Sequence, residues 1–361
     1  MAVGLFDTAT ALSPLHGELR TAIERVLDSE RFVLGPEVES FERELAAYTG
    51  VSHGVGVANG TDAITIALRA MGVGPGDEVV VPSFTFYASA EAIPPTGATP
   101  VFCDIDPATF CVTPETVGAV LSPRTKAVVV VHLFGNVAPV AQIETLGVPV
   151  LEDAAQALGS RSDAGRPGSL GTAATVSFYP SKNLGAFGDG GMILTSDARI
   201  DEQARILRFH GSRDKVDYEQ LGYNSRLDEL QAAILRVQLP HLDAWSDGRR
   251  AAARHYEDAG LGALVALPSP VAGASPAWHL YVVSDPNPQR LEAALADASI
   301  GFKAYYRTPV HRQPPMREWA PSAELPGTEQ AAARHLAIPM SPVLSREQVD
   351  EVVGAVRGAS V

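Results

Sequence analysis

Short apolar runs alternate with helical patterns along the first half of the chain, and this alternation limits the folds that the sequence can adopt. The runs are rich in β-branched residues and cover residues 55–58, 78–81, 100–104, 127–131, 148–151 and 172–178. Strands that a parallel sheet buries on both faces have this composition. The pattern therefore predicts an α/β fold, with a mostly parallel sheet and helices on both of its faces.

The last third of the chain has a different pattern. A helical pattern from Leu227 to Tyr256 leads into a proline-dotted region, in which residues 279–283 and 300–304 have the composition of strands. A chain of 361 residues exceeds a typical single domain. We therefore predict a large domain, residues 1–243, that includes an N-terminal helical segment, and a smaller α+β domain, residues 244–361.

One lysine follows the end of a predicted strand. Lys182 comes after the run at residues 172–178 and before a glycine-rich stretch, GDGG at residues 188–191. The carboxyl ends of the strands are where open α/β sheets carry out their chemistry. A lysine amine can form a Schiff base with a carbonyl group, and an arginine cannot. The position of Lys182 therefore predicts a Schiff-base lysine.

An acidic residue follows another predicted strand. The apolar run at residues 148–151 ends in Glu152 and Asp153, 29 residues before Lys182. A buried aspartate can keep the ring nitrogen of pyridoxal phosphate protonated, as the chemistry of this cofactor requires. Taken singly, Asp153 could be a helix cap and Lys182 a solvated loop residue. Together the two residues favour a pyridoxal phosphate site.

The motifs around these two residues resemble those of a known family. The chain has SFYPSKNLG at residues 177–185, EDAAQ at residues 152–156 and NGTDA at residues 59–63. These motifs resemble the DegT/DnrJ/EryC1/StrS sugar aminotransferase family of fold-type I pyridoxal-phosphate enzymes, over almost the whole chain. The resemblance implies a large domain with a mostly parallel sheet flanked by helices, and a smaller α+β C-terminal domain.

The resemblance also implies how the cofactor phosphate is held. Gly60, Thr61 and Asp62 correspond to the phosphate loop of the family, and Ser177 to a second phosphate ligand. The sequence supports this assignment, because residues 64–70 continue as a helix. The free N–H groups and the dipole at the start of a helix favour an anion.

Further positions correspond to residues around the cofactor ring and the substrate. By resemblance, Phe86 stacks on the pyridine ring and Gln156 lies near the ring hydroxyl. Three other positions correspond to residues near the nucleotide sugar, namely Tyr179, Tyr306 and His311.

The resemblance implies a homodimer with shared active sites. Asn224 corresponds to an asparagine that reaches the phosphate of the partner's cofactor. The helix predicted after it has apolar residues near one face, at Leu227, Leu230, Ile234 and Val237. We expect this face to pack against the second subunit.

Composition excludes several other classes of protein. A net charge of −14 argues against a nucleic-acid partner, which needs a basic face. Histidines and cysteines without metal-ligand spacing predict no metal site, and Cys103 and Cys111 are expected to be buried thiols, although a local disulfide is possible. No apolar stretch is long enough to span a membrane, and residues 1–20 lack the features of a secretory signal, so a cytoplasmic protein is expected.

An anionic nucleotide sugar would still need local cations. The candidate side chains form two clusters, which are Arg205, Arg208, Arg213 and Lys215 in one, and Arg307 and Arg312 in the other. Each of these residues could equally be a solvated surface charge.

The favoured function is amino transfer. An amino donor, with L-glutamate expected, would pass its amino group to the cofactor, and the pyridoxamine phosphate form would deliver it to a nucleotide-linked keto sugar. By resemblance, the acceptor is C3 of a dTDP-linked 3-keto-6-deoxyhexose. The alternatives are amination at C4 of a 4-keto sugar, or a dehydratase of the same family. The sugar 3-dehydratases of this group replace the lysine by histidine, whereas the aminohydroxybenzoate-forming branch keeps it and stays open.

A third possibility comes from a different class of protein. Residues 72–76, GVGPG, superficially resemble a dinucleotide-binding loop of an oxidoreductase. They precede a predicted strand instead of following one, and they lack the third glycine at the required spacing. This possibility, and that of a non-catalytic binding fold, is disfavoured.

Overall fold

The computed structural model describes residues 3–359, and its largest element is a seven-stranded sheet. The strands of the described residues are β1 His53–Val57, β2 Glu78–Pro82, β3 Thr99–Cys103, β4 Thr125–Val131, β5 Val150–Asp153, β6 Arg161–Ser162, β7 Ala173–Ser177, β8 Gly191–Thr195, β9 Ala274–Ser275, β10 Tyr281–Ser284 and β11 His335–Ile338.

The α-helices of the described residues range from one turn to 17 residues. They are α1 Ala9–Leu12, α2 His16–Ser29, α3 Pro36–Thr49, α4 Gly60–Ala70, α5 Ala88–Glu91, α6 Pro114–Gly118, α7 Val140–Glu144, α8 Ala198–Arg208, α9 Glu229–Gln238, α10 Leu242–Asp258, α11 Pro288–Asp297, α12 Pro326–Arg334 and α13 Arg346–Gly358.

The strand order of the large sheet confirms the predicted fold class. The order is β1-β8-β7-β5-β4-β2-β3, and β8 is the one strand of this sheet that runs opposite to the other six. The central strands are buried on both faces, since Val80, Val129 and Leu151 have no exposed surface. Helices α3 and α8 pack against the edge strand β1, and α4 packs against β7 and β8. The sheet is therefore mostly parallel and flanked by helices, as the apolar runs predict.

The pairing of β5 with β7 brings two strand ends together. The two strands are parallel, and Asp153 at the end of β5 is in register with Thr175 in β7. Strand β7 then ends at Ser177, two residues further on. The carboxyl ends of parallel strands lie at one edge of a sheet, so the motifs that follow β5 and β7 are neighbours.

The C-terminal region differs from the prediction in detail. Strand β10 forms near the expected place and pairs with β11 in a separate small sheet. Residues 300–304 form no strand, and only an isolated bridge joins Lys303 to Ala337. The predicted helix over residues 227–256 is divided into α9 and α10 by a short 3-10 turn at Leu239–His241, which contains Pro240. A proline removes a backbone hydrogen bond and interrupts a helix. Position 243 lies in the first turn of α10, and the domain division there stays a prediction.

Three observations on the described residues bear on other expectations. Cys103 and Cys111 are both buried free thiols, as expected, and burial raises the pKa of each. No group of acidic, histidine or cysteine side chains within residues 3–359 could hold a metal ion. Over the same residues, no helix has the length and apolar character that a membrane span requires.

A buried carboxylate joins the starts of two helices. Glu229, the first residue of α9, is 1% exposed. Its side-chain oxygens accept hydrogen bonds from the backbone N–H groups of Gly35, Glu37 and Val38, at 2.8 to 2.9 Å. These groups belong to the start of α3, where N–H groups have no partner within the helix. Glu229 therefore anchors α3 to α9.

We expect Glu229→Ala to lower the free energy of unfolding by about 3 kcal/mol, because it leaves several buried N–H groups without an acceptor. Urea unfolding followed by circular dichroism measures the change. The matched control is Glu39→Ala, which removes an exposed carboxylate from the same helix and should cost less than about 1 kcal/mol. Equal losses in the two variants would contradict the anchoring role.

Candidate active site

Lys182 lies in the loop between β7 and β8, five residues after β7 ends. The loop turns tightly there, since the backbone N–H of Lys182 donates to the carbonyl of Tyr179 at 2.8 Å. Burial of the amine lowers the pKa of Lys182 to about 8, and the negative charge of Asp153 opposes this effect. A lysine with a lowered pKa has a larger neutral fraction near pH 7 than a surface lysine, and the neutral amine is the nucleophile.

Asp153 is the last residue of β5 and is 6% exposed. Its Oδ2 accepts a hydrogen bond from the hydroxyl of Ser89 at 2.7 Å, and its Oδ1 accepts one from the backbone N–H of Ala155 at 3.1 Å. The carboxylate is thus held in a fixed orientation at the edge of the sheet, close enough to affect the charge of Lys182.

Glu152, the neighbour of Asp153, fixes the backbone around the site. It has no exposed surface and accepts hydrogen bonds from the N–H groups of Gly168, Leu170 and Gly171, at 2.7 to 3.0 Å. It also bonds Nε2 of His132 at 2.8 Å. The other ring nitrogen of this histidine accepts from a backbone N–H, so Nε2 carries the proton and donates to Glu152. The four bonds satisfy a buried charge that would otherwise be costly.

The predicted phosphate loop forms the start of α4 beside the end of β7. Asn59 caps the helix by accepting a hydrogen bond from the N–H of Asp62 at 2.8 Å. Gly60 approaches β7 so closely that a Cβ atom there would lie 2.8 Å from the Cβ of Ser177. The structure therefore brings the first turn of α4, which contains Thr61, to the Ser177 hydroxyl. Free N–H groups of a helix start and a hydroxyl suit a phosphate.

The Asp62 side chain has a different partner. Its carboxylate accepts a hydrogen bond from the hydroxyl of Ser225 at 2.6 Å, and that hydroxyl accepts one from the backbone N–H of Ala58 at 3.0 Å. This arrangement ties the phosphate loop to the segment that leads into α9. A carboxylate and a phosphate repel each other, and the Asp62 N–H already donates to Asn59. The donors that this turn offers to an anion are therefore the N–H groups of Gly60 and Thr61.

Aromatic side chains line one side of the site. The ring of Phe86 is 54% exposed, with its centroid 6.2 Å from that of Tyr306. Tyr306 stacks on Phe134 at 6.0 Å. Gln156 links Tyr306 to Phe134. Its Nε2 donates to the Tyr306 hydroxyl at 3.1 Å, and its Oε1 accepts from the Phe134 N–H at 2.7 Å. The exposed Phe86 ring is free to stack on a flat ligand.

The other two predicted substrate residues have different surroundings. Tyr179 is 57% exposed. His311 is largely buried, and its Nδ1 lies 2.5 Å from the hydroxyl of Ser83. Burial lowers the pKa of His311, and the carboxylate of Glu329 opposes the effect. His311 is therefore neutral at pH 7.

Asn224 is exposed and precedes α9, where its side-chain oxygen accepts a hydrogen bond from Arg226. The expectation that the apolar face of α9 packs against a second subunit is wrong. Within the chain, α2 and α3 cover this helix, and Ile234 packs against Leu15 and Leu19 of the N-terminal segment. The sequence pattern identified an apolar face, but not the partner that buries it.

The arginine clusters also have structural partners. The pairs are Arg205 with Glu42 and Asp201, Arg208 with Glu42, Arg213 with Glu202 and Glu219, Arg307 with Glu292, and Arg312 with Glu329. In addition, the amine of Lys215 lies over the ring of Phe209. These side chains are therefore engaged with the chain itself, and sequence alone could not separate this role from anion binding.

Sequence reasoning missed three residues of the site. Thr85 and Ser89 are buried next to Asp153. His279 is buried near Lys182. Burial lowers the pKa of His279 most, and the charge of Lys182 lowers it further. The first two could have been found, because they follow the carboxyl end of the parallel strand β2. No sequence signal marks His279.

The residues that converge here fit pyridoxal phosphate. They supply an amine with a lowered pKa at Lys182, a buried carboxylate at Asp153 and an exposed aromatic ring at Phe86. The space next to Ser177 exists because position 60 is glycine. An imine-forming amine, an acceptor for a ring nitrogen, a stacking surface and an anion site are the four groups that this cofactor needs.

Comparisons with known proteins agree with this set of groups. Residues 15–357 match the model of the DegT/DnrJ/EryC1/StrS aminotransferase family. A "Pleiotropic regulatory protein" of Geobacillus stearothermophilus is 45% identical, and the match covers 98% of this chain and 97% of the relative. The dTDP-3-amino-3,4,6-trideoxy-alpha-D-glucose transaminase of Streptomyces venezuelae is 43% identical, over 98% of this chain and 95% of the relative.

A solved structure is similar over nearly the full length. DesV of S. venezuelae, crystallised in complex with a ketimine intermediate, superimposes with a TM-score of 0.95 at 43% identity, covering 99% of this chain and 98% of that one. A family match over most of the chain, together with this identity and coverage, establishes membership. The chain belongs to the DegT/DnrJ/EryC1/StrS aminotransferase family.

Proposed function

We propose that this protein is a pyridoxal-phosphate-dependent aminotransferase that moves an amino group from L-glutamate to C3 of a dTDP-linked 3-keto-6-deoxyhexose. The observation that carries the proposal is the convergence of Lys182, Asp153 and the Gly60–Ser177 contact at one edge of the sheet. The similar transaminase of S. venezuelae supports the choice of substrate, because its name specifies a dTDP sugar with an amino group at C3.

Each of these residues has a distinct task in amino transfer. When bound, the cofactor supplies an electron-withdrawing ring and a carbon that takes up and releases the amino group. Lys182 attaches the cofactor covalently, and Asp153 accepts the hydrogen bond of its ring nitrogen and keeps that nitrogen protonated. The start of α4 and the Ser177 hydroxyl hold the phosphate, Phe86 covers one face of the ring, and Gln156 lies near the ring hydroxyl.

Lys182 also moves the proton that amino transfer requires. With the cofactor bound, the neutral amine of Lys182 would take the proton from Cα of the amino donor, and the resulting ammonium form would later give the proton up. The pKa of about 8 suits both directions, because an efficient acid–base group has a pKa near the working pH.

The nucleotide sugar is proposed to lie against the aromatic side of the site. Tyr179 offers an exposed ring, Tyr306 a hydroxyl fixed by Gln156, and His311 a neutral ring held by Ser83. Neutral donors suit sugar hydroxyls.

We also propose a homodimer in which Asn224 completes the site of the partner subunit. Asn224 is exposed, and the segment before it carries exposed apolar side chains, with Val216 75%, Tyr218 61% and Leu221 86% exposed. Apolar side chains clustered on a surface favour contact with another protein. A second copy of this chain, related by twofold symmetry, would cover these side chains in both subunits. The cytoplasmic location stays a prediction.

An assay across dTDP- and UDP-linked 3-keto and 4-keto sugars, with glutamate as donor, tests the proposed function. We expect the dTDP-linked 3-keto sugar to be aminated with a kcat/KM at least about tenfold higher than any 4-keto sugar. Lys182→Ala is the inactive control. Preferential amination of a 4-keto sugar, or loss of water without amination, would contradict the proposal.

The rate at which the apoenzyme captures pyridoxal phosphate should depend on the pKa of Lys182. We expect the rate to rise with pH and to reach half its maximum near pH 8, because only the neutral amine reacts. Stopped-flow absorption measures the rate, and mass spectrometry after borohydride reduction identifies the modified residue. Lys126→Ala, which removes an exposed lysine, should react like the wild type and Lys182→Ala should not react. If the rate instead reached half its maximum near the pKa of an ordinary exposed lysine, the reactive amine would not be a buried one.

Subunit exchange tests the shared site. Lys182→Ala and Asn224→Ala homodimers should each be impaired. A mixed dimer has one site with both residues intact and one with neither, so activity should increase after exchange. The fraction of mixed dimer is measured by native mass spectrometry. If exchange is complete and activity does not recover, Asn224 serves only its own chain.

A further inference from the structure

Two hydroxyl groups from the segment around Phe86 connect to the carboxylate of Asp153. Ser89 and Thr85 are each 1% exposed, and Asp153 is 6% exposed. The Ser89 hydroxyl donates to Oδ2 of Asp153 at 2.7 Å, and the hydroxyls of Ser89 and Thr85 are 3.0 Å apart. The three side chains therefore form a continuous buried chain of hydrogen bonds.

The direction of this chain follows from the number of protons. A serine hydroxyl has one hydrogen, and an ionised carboxylate can only accept. Since the hydrogen of Ser89 is directed at Asp153, the bond between the two hydroxyls uses the hydrogen of Thr85. Thr85 thus donates to Ser89, and Ser89 donates to Asp153. Successive hydrogen bonds polarise one another, so Thr85 strengthens the bond that Ser89 makes to the carboxylate.

The same short segment carries the proposed stacking ring. Phe86 lies between Thr85 and Ser89, and its carbonyl accepts a hydrogen bond from the Ser89 N–H at 3.2 Å. One turn of the chain therefore holds both the ring that would cover the cofactor and the Ser89 hydroxyl that orients the Asp153 carboxylate. A small movement of this turn would change both contacts together.

We propose that Ser89, supported by Thr85, is a positioning residue that sets the basicity and orientation of Asp153 and thereby the proton on the cofactor ring nitrogen. This inference rests on the proposed role of Asp153. A hydrogen bond to a carboxylate stabilises its charged form and makes it a weaker base. In the pair formed by a carboxylate and a protonated ring nitrogen, a weaker base leaves more of the proton on the nitrogen. Without Ser89, the carboxylate competes more strongly for that proton.

Nitrogen NMR of the holoenzyme, loaded with pyridoxal phosphate labelled with ¹⁵N in the ring, tests this inference directly. The ¹⁵N chemical shift reports whether the ring nitrogen carries a proton. We expect Ser89→Ala to move the shift toward the value of an unprotonated ring, and Thr85→Val to move it in the same direction by a smaller amount. The shift is independent of turnover, so a loss of activity for other reasons does not affect it.

Thr175→Val is the matched control. Thr175 is 1% exposed and is in register with Asp153, but its hydroxyl donates to the backbone carbonyl of Glu152 at 3.3 Å instead of to the carboxylate. Thr175→Val removes a buried hydroxyl at the same depth, and we expect it to leave the ¹⁵N shift unchanged. A shift of the same size in this variant as in Ser89→Ala would overturn the inference.

Asp153→Asn separates failure of this inference from failure of the proposed function. If the ¹⁵N chemical shift of Ser89→Ala equals that of the wild type while that of Asp153→Asn differs, the role of Ser89 is overturned and the role of Asp153 stays intact. A wild-type shift in Asp153→Asn would overturn the role of Asp153 itself. If Ser89→Ala does not fold, Thr85→Val decides, since a displaced shift supports the inference and an unchanged one overturns it.

Discussion

The parallel pairing of β5 with β7 is the constraint on which the rest of the site depends. It puts Asp153 at the same edge of the sheet as the end of β7, and the loop after β7 carries Lys182. Because β8 pairs antiparallel with β7, both ends of the loop between them are held by the sheet. The phosphate loop can then approach Ser177 only because Gly60 has no side chain. One strand pairing thus brings amine, carboxylate and anion site together.

Buried acidic residues hold this arrangement in place, each at a junction between elements. Glu152 binds the segment before β7, Glu229 joins α3 to α9, and Glu42 pairs with Arg205 and Arg208 and accepts from the backbone of β1. A buried carboxylate is costly unless several donors satisfy it. These residues have such donors, so they fix the geometry of the elements they join.

The pKa of Lys182 shows how the position of the site determines its chemistry. Burial favours the neutral amine and lowers the pKa, whereas Asp153 favours the charged form and limits the decrease. The result is a value of about 8, at which the amine can both attack a carbonyl and carry a proton. A fully exposed lysine would be mostly protonated at pH 7, and a lysine buried without Asp153 nearby would hold a proton less readily.

The sequence by itself determined the fold class, most strands of the large sheet, and the positions of Lys182 and Asp153 after strand ends. The reason is that periodicity, composition and the placement of glycine are local properties. Only the tertiary structure decided that α2 and α3 cover the apolar face of α9. It also decided that Ser89 reaches Asp153 from α5, the helix that follows β2, although β2 lies two positions from β5 in the sheet. A pattern along the chain shows that a surface must be buried or a charge satisfied. Which partner does so depends on long-range packing, and that choice leaves no signal in the local sequence.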